Sequence, residues 1–146
     1  MTARTSRARG SVLMLMPAAV LIVIVLGSIA VDFAIVFLGE REAAALAAAA
    51  ANDAATAAVD EQAFRDTGEY LLDEARARRV AEASLAASSS ELDDVDVEVV
   101  VLFLGGEPAV TVRVRGSVTY VFAQAIPGAP AGARVEASAT AVARIG

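Results

Sequence analysis

The chain has 146 residues, 57% of them hydrophobic but only 5% aromatic, and a formal net charge of −6. That length allows one modest domain beside any membrane segment, and apolar content supplied so largely by alanine argues against a large, heavily packed core. The absence of Cys, His and Lys removes disulfides, thiolate metal sites, the usual general base and Schiff-base chemistry, and the acidic balance opposes binding to a phosphate backbone.

The charge is uneven. The first ten residues carry Arg4, Arg7 and Arg9 and no acid, and every acid except Asp32 lies from Glu40 onward. From Ser11 to Leu38 the only ionisable residue is Asp32. A bilayer core about 30 Å thick needs roughly 20 apolar helical residues, and Val12 to Val31 supplies them. Asp32 then marks the end of the span, where a carboxylate reaches the outer interface. The three arginines before the span orient it with a cytoplasmic N-terminus and an extracytoplasmic body. A bend is expected at Pro17, which removes one helix hydrogen bond. A cleaved signal peptide is the competing reading: Met1–Arg9 would be its n-region and Val12–Leu26 its h-region. Ser28 and Ala30 would then be the small residues before a cut at Val31. The apolar run continues to Leu38 and is long for an h-region, which favours a retained anchor.

No proline or glycine interrupts Glu40 to Gln62, and alanine is the best helix former. The span is therefore expected to continue outward as an Ala-rich rod, smooth enough for another element to approach closely. Phe64–Leu72 reads as a connector broken at Gly68, and Asp73 as the N-cap of a second helix. That helix presents Ala77, Val80, Ala81, Ser84 and Leu85 on one face and ends at Ser88–Ser90.

Period-two alternation follows. Val95, Val97, Val99, Val101 and Phe103 share a face opposite Asp96 and Glu98. Gly105-Gly106-Glu107-Pro108 is a turn. Val110, Val112, Val114, Val118, Tyr120 and Phe122 share the next face, opposite Arg113 and Arg115. A hairpin would set Asp96 and Glu98 near Arg113 and Arg115 on a solvated face. After the IPGAPAG loop, Val135, Ala137, Ala139, Ala141 and Ala143 form the inward row of a third strand, small enough for the Ala-rich rod to lie against it.

The expected fold is α+β: a transmembrane helix continuing into an Ala-rich helix, a short second helix and a three-stranded antiparallel sheet. The expected organisation is a basic cytoplasmic tail over 1–10, a transmembrane helix over 11–38, an extension helix over 39–62, and an extracytoplasmic helix and sheet over 63–146.

The chain resembles the TadE/TadG-like proteins of the tight-adherence (Flp) pilus-assembly system. The resemblance lies in the basic N-terminus running into Gly10-Ser11-Val12 and the apolar span containing Pro17 and closing on Val31-Asp32. It extends to the alanine-rich element around Asn52-Asp53-Ala54-Ala55 and the closing strand Val135-Glu136-Ala137-Ser138-Ala139-Thr140-Ala141. It implies a pilin-like form of the α+β fold, a single-pass protein of the bacterial cell membrane and a pilus context. Asp32 and Asp53 stand at family positions, and Gly10 stands where a prepilin peptidase would cut. The departure is Leu15, at the place where pilins cut in this way usually carry Glu.

Two functions follow as expectations. One is a non-catalytic, membrane-anchored pilin-like subunit or assembly factor of a Tad/Flp-type surface pilus. Its partners would be the lipid bilayer and other pilus-assembly or pilin-like membrane proteins. The alternative is a secreted or anchored extracytoplasmic binding module unrelated to pili, using Tyr120-Val121-Phe122 and Ala123–Pro127 as its contact patch. The competing account of those residues is a strand end buried under the IPGAPAG loop. Neither function calls for a cofactor, a metal, nucleic acid or a small-molecule substrate.

Overall fold

The structure is a computed structural model that describes residues 8–59, 65–66, 68 and 72–143, with side chains described from residue 15. Its elements are α1 (Ala8–Ala57), α2 (Glu74–Ala87), β1 (Asp93–Leu104), β2 (Glu107–Thr119) and β3 (Gly132–Val142), with one 3₁₀ turn at Ala123–Ala125. The strands form an antiparallel sheet in the order β1-β2-β3. The fold is α+β, with both helices on one face of the sheet.

A single helix of 50 residues dominates the molecule, about 75 Å long at 1.5 Å per residue. Its two halves live in different surroundings. From Leu15 to Val31 its large side chains are exposed, and it is long and apolar enough to cross a membrane. From Ile35 onward one face turns inward. Ala43, Leu46, Ala47, Ala50, Ala51, Ala54, Ala55 and Ala58 are buried against Val110, Val112, Val114, Val118, Val135 and Ala141 of the sheet. The second half of the helix is thus the core of the body.

Small residues make that contact possible. A Cβ on Gly39 would lie 2.5 Å from Val118 Cγ1, so the helix crosses the sheet with no room for a side chain there. Ala137 and Ala139 on β3 pack against the same core. Ala139→Leu adds volume where α1 already touches the sheet. It should cost about 1–3 kcal/mol by overpacking, read as a lower unfolding midpoint; an unchanged midpoint would speak against this close contact.

α1 stops at Ala57 rather than running to Gln62. Ala58 N–H closes the last turn on Ala54 O, Val59 leaves the helix to bridge with Leu72, and Asp73 N–H donates to Ala58 O. Val59 and Leu72 thus lie side by side where α1 ends and α2 begins. Residues 60–64 lie outside the described part, as do Arg4 and Arg7; Gly68 has φ +72°. The Asp73 carboxylate accepts from Arg76 N–H at 3.1 Å as the N-cap of α2. Ala77 and Ala81 are the buried residues of that helix, and Ser88 ends it.

The hairpin between β1 and β2 turns on Gly105 and Gly106, both at positive φ (62° and 92°). Leu104 pairs with Glu107 across them. Positive φ at both central residues matches the right-handed twist of the flanking strands, and glycine takes it without strain.

Two stretches of alternation overreach. Val95 and Phe103 continue the inward period but are exposed. Val95 sits in the register irregularity between Asp93 and Asp96, beside Asp94 at φ 51°, and Phe103 is one residue from the strand's end at the hairpin tip. Tyr120 and Phe122 are not strand residues at all, because β2 ends at Thr119.

Candidate functional site: the junction at Asp32

Asp32, Ile35, Val36 and Gly39 recur at helical spacing on the face of α1 that turns toward the body. Asp32 is the first of them and the only acid on the helix before Glu40. Its carboxylate accepts three backbone N–H groups: Val121 at 2.9 Å and Phe122 at 3.1 Å on Oδ1, and Ala123 at 2.9 Å on Oδ2. These amides open the 3₁₀ turn Ala123–Ala125, whose preceding residue Phe122 offers no side-chain cap. A carboxylate accepting from consecutive amides is a strong, charge-assisted arrangement. Asp32 therefore clamps the end of the apolar half of α1 to the loop that follows β2.

The clamp explains where β2 stops. Val118 lies against Gly39, so β2 runs down α1 toward Asp32. There the amides of Val121 and Phe122 turn to the carboxylate instead of continuing a ladder. Tyr120 N–H still reaches Ala131 O at 2.9 Å, closing the loop at its neck. Val121 and Phe122 are exposed, so the expectation of a strand end buried under the IPGAPAG loop is overturned.

The opposite face of the sheet carries charge. Arg113 meets Glu98 at 3.1 Å and Glu136 at 3.1 Å; Arg115 meets Glu98 at 3.0 Å, Glu136 at 3.3 Å and Asp96 at 3.5 Å. The cross-strand pairing of Asp96 and Glu98 with the two arginines holds, and Glu136 on β3 completes a network that spans the sheet. Sequence reasoning missed Glu136, although its alternation with Ser138 and Thr140 was the available signal. These side chains are all substantially exposed, so each pair contributes little alone. They satisfy one another rather than converging on an open space.

A hydrogen bond from Arg115, and then the charge of Arg113, hold the Glu98 carboxyl below its ordinary value of 4.5, while Glu98 and Glu136 raise Arg115. A depressed carboxyl stabilises the fold above its unfolded-state value, and that contribution is lost as pH falls through the folded one. This small contribution to the unfolding midpoint should therefore be present from neutrality to about pH 4.5 and be lost below it. Glu98→Gln should make that acid limb shallower, as thermal unfolding at stepped pH would read.

Asp53 accepts from Ser84 Oγ at 2.6 Å, so this acid, the only ionisable residue between Ala43 and Ala57, fastens α1 to α2. Pro17 lies within a helix that stays continuous around it. Arg9 and Gly10 are part of α1, with their side chains outside the described set. Among the described residues, no three His, Cys, Asp or Glu side chains group so as to hold a metal ion.

Fold and junction together define a class: an apolar N-terminal helix, bare in its first half, whose second half is the core of a small antiparallel-sheet body. This is consistent with pilin-like architecture. Comparison with protein-family models, curated proteins and solved structures finds no match for the chain.

Proposed function

We propose that this protein is a non-catalytic, membrane-anchored pilin-like subunit or assembly factor of a Tad/Flp-type surface pilus in a bacterial cell membrane. The observation that carries this reading is the division of α1 into an exposed apolar half and a half buried in the body. A helix that is hydrophobic all round and bare needs lipid or other helices around it. Here it is not joined by a flexible linker but is the same rigid rod that organises the sheet. The body therefore moves with its anchor, which suits a subunit that packs side by side with others. The TadE/TadG-like resemblance supplies the pilus context.

Retention of the anchor is part of the proposal. α1 is unbroken through Ser28–Val31, and a cut before Val31 would sever the span one residue ahead of Asp32, whose carboxylate is committed to the loop. The three N-terminal arginines argue for a cytoplasmic N-terminus and an extracytoplasmic body.

A clean deletion in the native bacterium tests the function. Loss of piliation or surface adherence, restored by the wild-type gene, is the expected result, together with co-purification of the detergent-solubilised protein with pilus-assembly membrane proteins. Normal piliation and adherence would favour the anchored binding module instead.

A further inference from the structure

The loop that Asp32 holds has an unusual surface. From Gly116 to Ala133 there is no ionisable side chain except Tyr120, in a chain that is 21% charged. Val121 is 59%, Phe122 43% and Ile126 61% exposed. On α1, Phe33 and Phe37 are 72% and 60% exposed in the two turns directly after Asp32, on helix faces turned away from the body. No charge appears on α1 between Asp32 and Glu40. Phe33, Phe37, Tyr120 and Phe122 make up four of the chain's seven aromatic residues, and all lie near the level of this junction. Scattered exposed apolar residues need no explanation, but an uncharged set of them gathered at one height around α1 does.

The height is set by the geometry. The three bonds to Asp32 fix Val121–Ala123 at the level where the apolar half of α1 ends. The seven residues from Asp32 to Gly39 rise about 10 Å, and the headgroup layer on one side of a bilayer is about 5–8 Å thick. That set of residues is thus of comparable height to the layer and fits it in composition, since aromatic side chains favour the interface.

We propose that the segment Tyr120–Ala131 is a lipid-contacting foot: Val121, Phe122 and Ile126 enter the interfacial layer of the bilayer beside Phe33 and Phe37, and seat the body directly on the membrane. Asp32 makes this affordable. In that partly dehydrated layer an unpaired backbone N–H is costly, and the carboxylate satisfies three of them. The foot rests on the membrane reading above.

The chain lacks Trp, so single tryptophans report depth without background. Full-length protein carrying Phe122→Trp, Ile126→Trp, Leu21→Trp or Phe103→Trp would be reconstituted into phosphatidylcholine vesicles, with and without acyl-brominated lipid. Leu21 lies mid-span and Phe103 at the hairpin tip, and all four positions are exposed, so the substitutions do not disturb the core. The foot predicts blue-shifted emission and bromolipid quenching for Phe122→Trp and Ile126→Trp, weaker than for Leu21→Trp, with Phe103→Trp unquenched. Quenching of Leu21→Trp alone would overturn the foot and leave the span standing. No quenching at Leu21 would overturn both. Phe122→Trp shielded from aqueous iodide yet untouched by bromolipid would place it against another copy of the chain and likewise overturn the foot.

Discussion

Gly132→Ala should lower the stability of the body by about 3 kcal/mol, near the upper end of what overpacking usually costs. Gly132 opens β3 and pairs with Thr119, the last residue of β2. A Cβ there would lie 2.1 Å from Val118 O, with Val118 C at 3.1 Å and Thr119 Cα at 3.2 Å. These are backbone atoms of the central strand and cannot swing aside as a side-chain end would. The pair must open, and with it the neck of the 120–131 loop, where Tyr120 N–H meets Ala131 O. Chemical unfolding in detergent, followed by circular dichroism, would read the loss; a midpoint equal to that of the parent would refute the close approach of the strands.

Asp32→Ala should release the loop without unfolding the sheet. Three amides lose their shared charged acceptor, and because Val121 and Phe122 are exposed water takes its place, so the loop loses its tie to α1 without leaving buried donors unpaired. Hydrogen exchange at Val121, Phe122 and Ala123 should quicken by about tenfold or more, while the buried Val112 and Val114 keep their protection. Asp32→Asn should fall between, since its single oxygen can serve the Oδ1 pair but not Ala123. Uniform quickening across the sheet would mean that Asp32 supports the whole body; unchanged exchange at the three amides would mean that the clamp is dispensable.

Neither contact was legible beforehand: Gly132 reads in sequence as the end of the IPGAPAG loop, whereas it opens β3. The long helix, the Asp73 cap, the glycine turn and the hairpin of the first two strands are all local patterns: an alanine run, a polar residue ahead of an apolar stripe, alternation with period two. The match of alanines between α1 and β3 was legible as a complementarity of size. The role of Asp32 was not. A carboxylate at the end of an apolar span looks the same in sequence whether water or amides satisfy it, and its partners are 89 to 91 residues away. That one hidden contact also explains why alternation misplaced Tyr120 and Phe122: the pattern continued, but the backbone hydrogen bonds went elsewhere. Val95 and Phe103 were misplaced because alternation assigns a face and says nothing about where the register slips or the strand ends. Asp53 was legible as a lone charge on an alanine helix, but its bond to Ser84 depends on how α2 folds back.

Junction, foot and pilus role all require the bare half of α1 to cross the bilayer with the body outside. Spheroplasts of the native bacterium, carrying the protein with an N-terminal epitope and exposed to added protease, test this most directly. The account predicts a membrane-bound protein whose body is digested from outside while a short, epitope-bearing fragment containing the span survives. Full-length protein that resists digestion until the membrane is broken, or that is recovered in the soluble cytosolic fraction, would contradict it.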